Sequence, residues 1–411
     1  QTVVSQDGLT LYTAAFGSGK VGVFSAASIE DPNFATNFDP TTESANYIDT
    51  GGGPSGLALD EANGRLYVLT RFDNSVVSVD LGSKATLQTL ALHNPEPPSV
   101  VVGRPFLYDA VITSGNGEAS CSSCHIFADM DQIAWNLGDP DASVSVNTQP
   151  SAIPLLPAQP NFHPMKGPMT TQTLRGMSTH GSLHWRGDRV DGFFGTDPCL
   201  EPIGAACSED HAFMNFIVAT EGLVGKDGHI TTAEMQLFTD FILQVFIPPN
   251  PVRNIDNSLT PAQAAGRANF LASAGAATTD VVATCDGCHD LDPSAGFFGT
   301  GGDRTFEGLV QDAKVAHMRN LYDKVGMFGA LGSSVPLGNQ IKGSGYLHDG
   351  TVGSVSQFVG AAVFSLSPSE VVEMTEFSLA FPTDLAPMVA QQVTLTASGG
   401  IEVNARITSM I

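Results

Sequence analysis

The sequence predicts a mainly α-helical chain of two tandem domains, preceded by a small β-rich region. Three observations in the 411 residues support this prediction. A series of motifs recurs in both halves of the chain after residue 100, and each half closes on an amphipathic segment with a helix-start signal. The first hundred residues instead alternate apolar and polar side chains between Gly, Asn and Asp turns. The predicted domains are residues 1–100, 101–254 and 255–411.

The β-rich region contains two similar stretches. Residues 7–24 and 63–79 each pass through a Gly turn, a Leu-Tyr strand and a Val-containing strand. They resemble blades of a β-propeller, with residues 53–59 as an opening strand. Two blades cannot close a propeller, which needs about four. We therefore expect either a fragment of a longer propeller or a small hairpin subdomain.

After residue 100, each half contains the same parts in the same order. A helix that opens with Gly-Arg is followed by a cysteine motif, an Arg-centred turn, a Leu-His motif and a closing helix. In the first half the non-cysteine motifs are Gly103 to Phe106, Leu174 to Gly176 and Leu183 to Asp188. In the second half they are Gly266 to Phe270, Met318 to Asn320 and Leu347 to Thr351.

Capping-box patterns mark the start of both closing helices. Thr231 is followed three residues later by Glu234, and Ser367 by Glu370, before an amphipathic stretch in each case. The proline-rich residues 247–254 form a stiff linker between the halves. The sequence thus predicts two helical domains that meet near residue 255.

The charge balance excludes one broad class of function. The chain has 18 basic and 42 acidic residues, giving a formal net charge of −24. A protein that binds nucleic acid needs basic residues to neutralise phosphates, so that class is excluded. We expect the acidic surface to keep an exported protein in solution, with steering of a basic partner as the alternative. No apolar run is long enough to span a bilayer, and Gln1 does not begin a secretion signal, so we expect a chain already processed or cut from a longer one.

Two cysteine motifs carry the most specific chemistry. They are Cys121-Ser-Ser-Cys124-His125 and Cys285-Asp-Gly-Cys288-His289. Thiols at this spacing add to the two vinyl groups of a haem, and the following imidazole reaches the iron. A zinc site would need four ligands from paired motifs, and a thioredoxin-like site would lack the histidine. The sequence therefore predicts two covalently attached haem c groups with His125 and His289 as iron ligands, in two cytochrome c-like domains.

The remaining cysteines, Cys199 and Cys207, lie in a Gly- and Pro-containing loop. Haem attachment is completed outside the cytoplasm, where a disulfide also forms readily. We predict a disulfide between them in a periplasmic or extracellular protein. Two buried thiols are the alternative.

The sixth iron ligands are predicted with alternatives. Met327 is favoured for the second haem and His163 for the first, because each lies 38 positions after the histidine of its motif (327 − 289 and 163 − 125). Met318 and Met374 are rivals of Met327, although both fit core positions. The rivals of His163 are Met165, His180 and His184. His/His ligation at the first iron and His/Met at the second would give the first haem the lower potential.

Arginines in the repeated motifs are candidates for binding haem propionates. Arg175, Arg186 and Arg319 each present a guanidinium that suits carboxylate recognition, and structural salt bridges are the equal alternative. Trp185 is one of two tryptophans in the chain. We expect it either to lie on an electron path between the haems or simply to pack in the core.

Residues 101–381 resemble the bacterial di-haem cytochrome c peroxidases and their methylamine-utilisation relatives. The matching stretches are residues 103–109, 163–168, 183–188, 318–320 and 346–350. The resemblance implies that His163 binds the first iron and that Trp185 lies between the haems. It also implies a calcium ion between the domains, which no acidic loop of this sequence supports.

Two departures from that family bear on activity. The family has a glutamate soon after the tryptophan motif to act on peroxide, whereas here none occurs before Glu201. The family's methionine ligand follows the His-Asp-Gly motif, where this sequence has Ala361 to Phe364. The leading interpretation is an exported di-haem c-type cytochrome that transfers electrons between redox proteins. The alternatives are a peroxidase, or peroxide-dependent oxidase, acting at the first haem, and a subunit of an extracellular cytochrome assembly.

Overall fold

A computed structural model describes most of the chain, namely residues 1–144, 161–179, 183–187, 209–272, 284–300, 313–324 and 345–410. Contacts divide the chain into two compact units. The first unit comprises residues 1–124 and 217–242, and the second comprises residues 125–216 and 243–411. The three predicted domains follow other boundaries and stay a prediction.

The strands of the described residues form small antiparallel sheets. They are β1 Thr2–Val4, β2 Thr10–Ala15, β3 Lys20–Ser25, β4 Ile48–Asp49, β5 Pro54–Asp60, β6 Arg65–Thr70, β7 Ser75–Asp80, β8 Thr86–Ala91, β9 Ala134–Gly138, β10 Met165–Thr170, β11 Leu291–Asp292 and β12 Phe297–Phe298. The sheet orders are β1-β2-β3-β4, β5-β6-β7-β8, β9-β10 and β11-β12.

The helices are mostly short. They are α1 Ala26–Ile29, α2 Phe34–Asn37, α3 Pro40–Glu43, α4 Pro98–Tyr108, α5 Ala110–Thr113, α6 Glu209–Met214, α7 Ala219–Gly222, α8 Thr232–Ile242, α9 Pro261–Phe270, α10 Cys285–Cys288, α11 Val355–Val359, α12 Pro368–Leu379 and α13 Ile401–Met410. None of the described helices is both long enough and apolar enough to cross a membrane.

Two four-stranded sheets occupy the first hundred residues of the first unit. Side chains on one face of each sheet alternate with exposed ones, because successive residues of a strand point to opposite faces. The buried faces meet in one apolar core made of Val21, Ile48, Leu57, Leu66, Val68, Val77 and Val79. The outer strand β8 has every side chain exposed.

A glycine sits where two helices of the first unit cross. A Cβ atom at Gly103 in α4 would lie 2.2 Å from the Leu237 carbonyl oxygen and 2.4 Å from the Phe241 Cβ, both in α8. Only a hydrogen atom fits in this space, so the glycine sets how closely the helices approach. Thr231 caps α8 as predicted, with its hydroxyl accepting from the Glu234 N–H at 3.2 Å.

The second unit repeats this crossing. A Cβ atom at Gly266 in α9 would lie 2.0 Å from the Glu373 carbonyl oxygen and 2.8 Å from the Phe377 Cβ in α12. Ser367 and Glu370 form the predicted capping box at the start of α12. The apolar core around the crossing contains Phe270, Tyr346, Val355, Val359, Met374, Phe377 and Phe381.

The prediction of a mainly α-helical fold with two cytochrome c-like domains is wrong. Among the described residues 35% are helical and 19% are in strands, and four small antiparallel sheets are present. The repeated helix crossings do exist, but the described residues between their helices also contain the short strands β9 to β12. Helix-start signals locate helices and give no measure of how much chain lies between them.

Candidate functional site

The second cysteine motif folds as a single helical turn, α10. The Thr284 hydroxyl accepts a hydrogen bond from the Gly287 N–H at 2.8 Å and so caps its start. The His289 N–H donates to the Cys285 carbonyl at 2.7 Å. The turn brings the two thiols of Cys285 and Cys288 near each other, with the histidine directly after them.

The ring of His289 is held by the backbone. Its Nδ1 lies 2.8 Å from the Gly299 carbonyl oxygen, which can only accept, so Nδ1 carries the proton. The lone pair of the neutral ring is therefore on Nε2. Such an outer hydrogen bond fixes the tautomer and the orientation of a histidine that binds a metal.

Cys285, Cys288 and His289 line a cavity of about 520 Å³ within the second unit. Apolar side chains make up most of the wall, including Phe270, Val355, Phe358, Val359, Phe364 and Leu366. The volume falls in the range of about 300–1,000 Å³ that is typical of cofactor sites. An apolar cavity of this size, with two thiols and an oriented imidazole on one wall, fits a covalently attached haem.

Trp185 lies on the cavity wall and is 9% exposed. Its indole N–H donates to the Thr170 carbonyl, and its ring meets the His348 ring edge-on at 4.7 Å. His348 is fixed in turn, since its Nε2 lies 2.8 Å from the Lys314 carbonyl oxygen. The tryptophan is thus both packed in the core and in contact with the cavity that Cys285, Cys288 and His289 line.

Two of the methionine candidates line this cavity. Met318 packs its side chain against Gly299, where a Cβ would lie 3.0 Å from the Met318 Cγ. It therefore lies beside the segment that orients His289. Met374 is 2% exposed and belongs to the core around the helix crossing. Met327, the favoured ligand, lies outside the described residues, and its role stays a prediction.

The sequence reasoning gave no role to two polar residues of this cavity. His317 is buried, and its Nδ1 accepts from the Arg319 N–H at 3.3 Å. Burial, followed by nearby positive charges, holds the pKa of His317 well below its usual value, so the ring is neutral. Tyr346 donates its hydroxyl to the Leu321 carbonyl at 3.0 Å, and burial raises its pKa. A histidine inside the apolar run Val-Ala-His-Met was the available signal.

The first motif is divided between the two units, with Cys121 and Cys124 in the first and His125 in the second. Residues Cys121–Ser123 form a 3-10 turn capped by Ser120. Burial raises the pKa of the Cys121 thiol to about 11. Burial also lowers the pKa of His125, which keeps the ring in the neutral form that binds metals. The four motif cysteines form no disulfide, and Cys199 and Cys207 lie outside the described residues.

The candidate sixth ligands of the first iron are only partly described. His163 is exposed, and its Nδ1 accepts from the Met165 N–H at 3.1 Å. Met165 begins β10 and is half-buried. The His184 Nε2 lies 3.3 Å from the Lys166 ammonium. His180 lies outside the described residues, and the choice among these residues stays a prediction.

The three arginines proposed for haem propionates all contact protein groups. Arg175 forms an ion pair with Asp129 at 2.8 Å. Arg319, fully buried, forms an ion pair with Asp384 and donates to the Gly176 carbonyl at 2.9 Å. Arg186 donates to the His163 carbonyl. These contacts support the structural alternative, and a propionate role for any of the three stays a prediction.

The part of the chain that the structure describes contains no cluster of three or more His, Cys, Asp or Glu side chains arranged to hold a metal ion. The calcium ion implied by the family resemblance therefore gains no support here.

No protein-family model and no curated protein matches the chain. Among solved structures, the chain is similar to hydrazine synthase of Kuenenia stuttgartiensis, with 18% identity and a TM-score of 0.40 over 70% of this chain and 89% of that one. It is also similar to a MauG-like protein associated with microbial copper homeostasis, with 17% identity and a TM-score of 0.32 over 73% and 93%. Similarities this distant carry no argument about function. The function proposed below is argued from the residues of this chain.

Proposed function

We propose that the chain is a di-haem c-type redox protein that transfers electrons between partner proteins. The observation that carries this proposal is the ring of His289, which follows two thiols at a cavity wall and is fixed by the Gly299 carbonyl at 2.8 Å. Each cysteine motif would hold one haem through two thioether bonds. As part of the same proposal, the protein works outside the cytoplasm, where such bonds are completed.

The residues of the second site would have different roles. Cys285 and Cys288 would hold the haem covalently, and His289 would bind its iron through Nε2. When bound, the haem supplies a centre that gains or loses one electron. The apolar wall, with Phe270 and Val359, would exclude water and so favour the form with less charge. No proton transfer by these side chains is required.

The second site would also lie near the histidine of the first motif. Met130 lines the cavity and follows His125 closely in the same unit. A stretch of five residues spans at most about 18 Å when fully extended. This short separation supports electron exchange between the two centres, with Trp185 on the wall of one of them.

Haem content of the purified holoprotein tests the proposal. We expect two haems per chain that remain attached after extraction with acidified acetone. The double variant Cys285→Ser, Cys288→Ser should retain one, while Cys199→Ser, Cys207→Ser should retain both. Haem that is extracted from the wild-type protein, or that is absent, would contradict the proposal.

Addition of hydrogen peroxide distinguishes the proposed electron carrier from the alternative, a peroxidase. Electron paramagnetic resonance should show two low-spin six-coordinate ferric irons in the oxidised protein and one in the half-reduced protein, with no consumption of added peroxide. A first iron that becomes five-coordinate and high-spin on half-reduction, together with peroxide turnover, would favour the peroxidase.

A further inference from the structure

Two arginines face one small pocket in the second unit, which shares no lining residue with the cavity of the cysteine motif. Arg253 and Arg267 line a cavity of about 280 Å³. The described lining contains no Asp or Glu, although the chain as a whole carries a net charge of −24. Two positive charges without a neighbouring carboxylate are an unusual arrangement in so acidic a protein.

Arg253 is fixed by the backbone and by an amide. Its Nε donates to the Asn257 Oδ1 at 2.7 Å, Nη1 to the Ala380 carbonyl at 2.9 Å and Nη2 to the Asn257 carbonyl at 3.0 Å. A guanidinium has five N–H donors, so two remain for another acceptor. Burial, and then the charge of Arg267, lower the pKa of Arg253.

Arg267 lies on the exposed side of α9. Among the described residues its guanidinium has no hydrogen bond and no ion pair. Two acids that neighbour lining residues in sequence have partners elsewhere. Asp384 pairs with Arg319, and Asp256 accepts from the Ser258 N–H and hydroxyl.

The first unit shows what such an arginine pair binds. Arg104 follows Gly103 at the helix crossing, as Arg267 follows Gly266 at the second crossing. Arg104 and Arg71 hold the carboxylate of Glu96 between them. Arg71 donates bidentate hydrogen bonds to the two Glu96 carboxylate oxygens, at 2.7 and 3.1 Å. The equivalent position beside Arg267 has a second arginine and no carboxylate of its own.

We propose that the pocket of Arg253 and Arg267 binds a small organic carboxylate from solution. The two guanidinium groups would hold the carboxylate as Arg71 and Arg104 hold Glu96. The carbon atoms of the ligand would contact the apolar walls, which include Leu291, Phe377 and Leu385. Those walls favour a short-chain carboxylate over an inorganic oxyanion. This inference does not depend on haem binding.

Calorimetric titration of the holoprotein with butyrate, acetate and phosphate tests the site, with chloride at equal ionic strength as the reference. We expect butyrate to bind more tightly than acetate, and acetate more tightly than phosphate. The Arg267→Gln variant should weaken butyrate binding by about ten- to a hundredfold, because a pair of charge-assisted hydrogen bonds is lost.

The matched control is Arg65→Gln, which removes the same charge from an exposed strand residue of the first unit. It should bind butyrate as the wild type does. The proposal is overturned if butyrate binds no better than chloride, if phosphate binds most tightly, or if both variants weaken binding equally. Arg267 is exposed, so its variant is expected to fold, and an unchanged melting temperature verifies this.

Discussion

At the scale of single residues, Glu96 forms ion pairs with two arginines of the first unit. Its carboxylate joins Arg71, in the turn after β6, to Arg104 in α4. The hydrogen bond from Arg71 is the largest of the causes that lower the pKa of Glu96 to about 2. Its side chain is 26% exposed, so solvent screens the pair only in part. The contact ties the sheets to the helix crossing.

Replacement of Glu96 by Gln should make the first unit less stable at neutral pH. Because the folded pKa lies below the usual 4.5, ionised Glu96 contributes stability above pH 4.5 and loses it as the pH falls towards 2. The contribution at pH 7 is up to about 3 kcal/mol. Urea unfolding at pH 7 and pH 2 measures it, and the difference between wild type and variant should vanish at the lower pH. The control Glu402→Gln, on exposed α13, should match wild type at both.

The sequence predicted the arginines of two ion pairs but not their acidic partners. The motifs Leu-Arg-Gly and Met-Arg-Asn marked Arg175 and Arg319 as equivalent, and both are indeed fixed by acids. The acids themselves could not be predicted. Asp129 precedes its arginine and Asp384 follows its own by a long stretch of chain, so no common spacing relates them.

At the scale of elements, the helix crossings depend on two glycines. Replacement of Gly266 by Ala should destabilise the second unit by about 3 kcal/mol, since a Cβ 2.0 Å from the Glu373 carbonyl oxygen forces the helices apart. The better helix propensity of Ala, worth about 1 kcal/mol, opposes this only in part. Thermal unfolding measures the effect.

Gly222→Ala provides the control, because no atom lies within 4 Å of its Cβ position at the end of α7. It should leave the melting temperature unchanged or raise it slightly. An equal loss of stability in both variants would show that the close contact at Gly266 is not the cause.

Local sequence patterns predicted the starts of the closing helices and the β-rich character of the first hundred residues, and missed a later pair of strands. The capping boxes at Thr231 and Ser367 placed the starts of α8 and α12 correctly, because a cap is a local interaction. The antiparallel pair of β9 and β10 was missed. It places Trp135 opposite Met169, and the Pro168 within β10 is a residue that strands seldom contain.

At the scale of the whole molecule, the error in fold class has one source. The helix crossing recurs in both halves, and the predicted entry and closing helices were taken to define mainly α-helical, cytochrome c-like domains. The described residues instead join short helices through irregular segments that carry β9 to β12. A repeat shows that two segments share a structure. Their helix and strand content must be predicted separately, from local sequence patterns. Met327 and the other residues outside the described ranges leave the sixth ligands as predictions.

The net charge predicts which redox partners associate fastest with the proposed redox protein. Because the formal net charge is −24, association with a small basic redox protein should be fast at low salt. We expect its second-order rate constant to fall about tenfold between about 0.01 and 0.2 M salt. Stopped-flow reduction measures this, with an uncharged small-molecule reductant as the control. A rate that rises with salt would point to an acidic partner instead.

The hydrogen bond between His289 and the Gly299 carbonyl would also affect the rate of electron transfer at the proposed redox centre. Each change of oxidation state requires ligands and solvent to rearrange, and the energy of that rearrangement slows the transfer. The His289 ring is already fixed through Nδ1, and the surrounding wall is apolar. Few dipoles need to turn when the charge of the iron changes. A centre built on this histidine would therefore have a low reorganisation energy and exchange electrons quickly even with a small driving force.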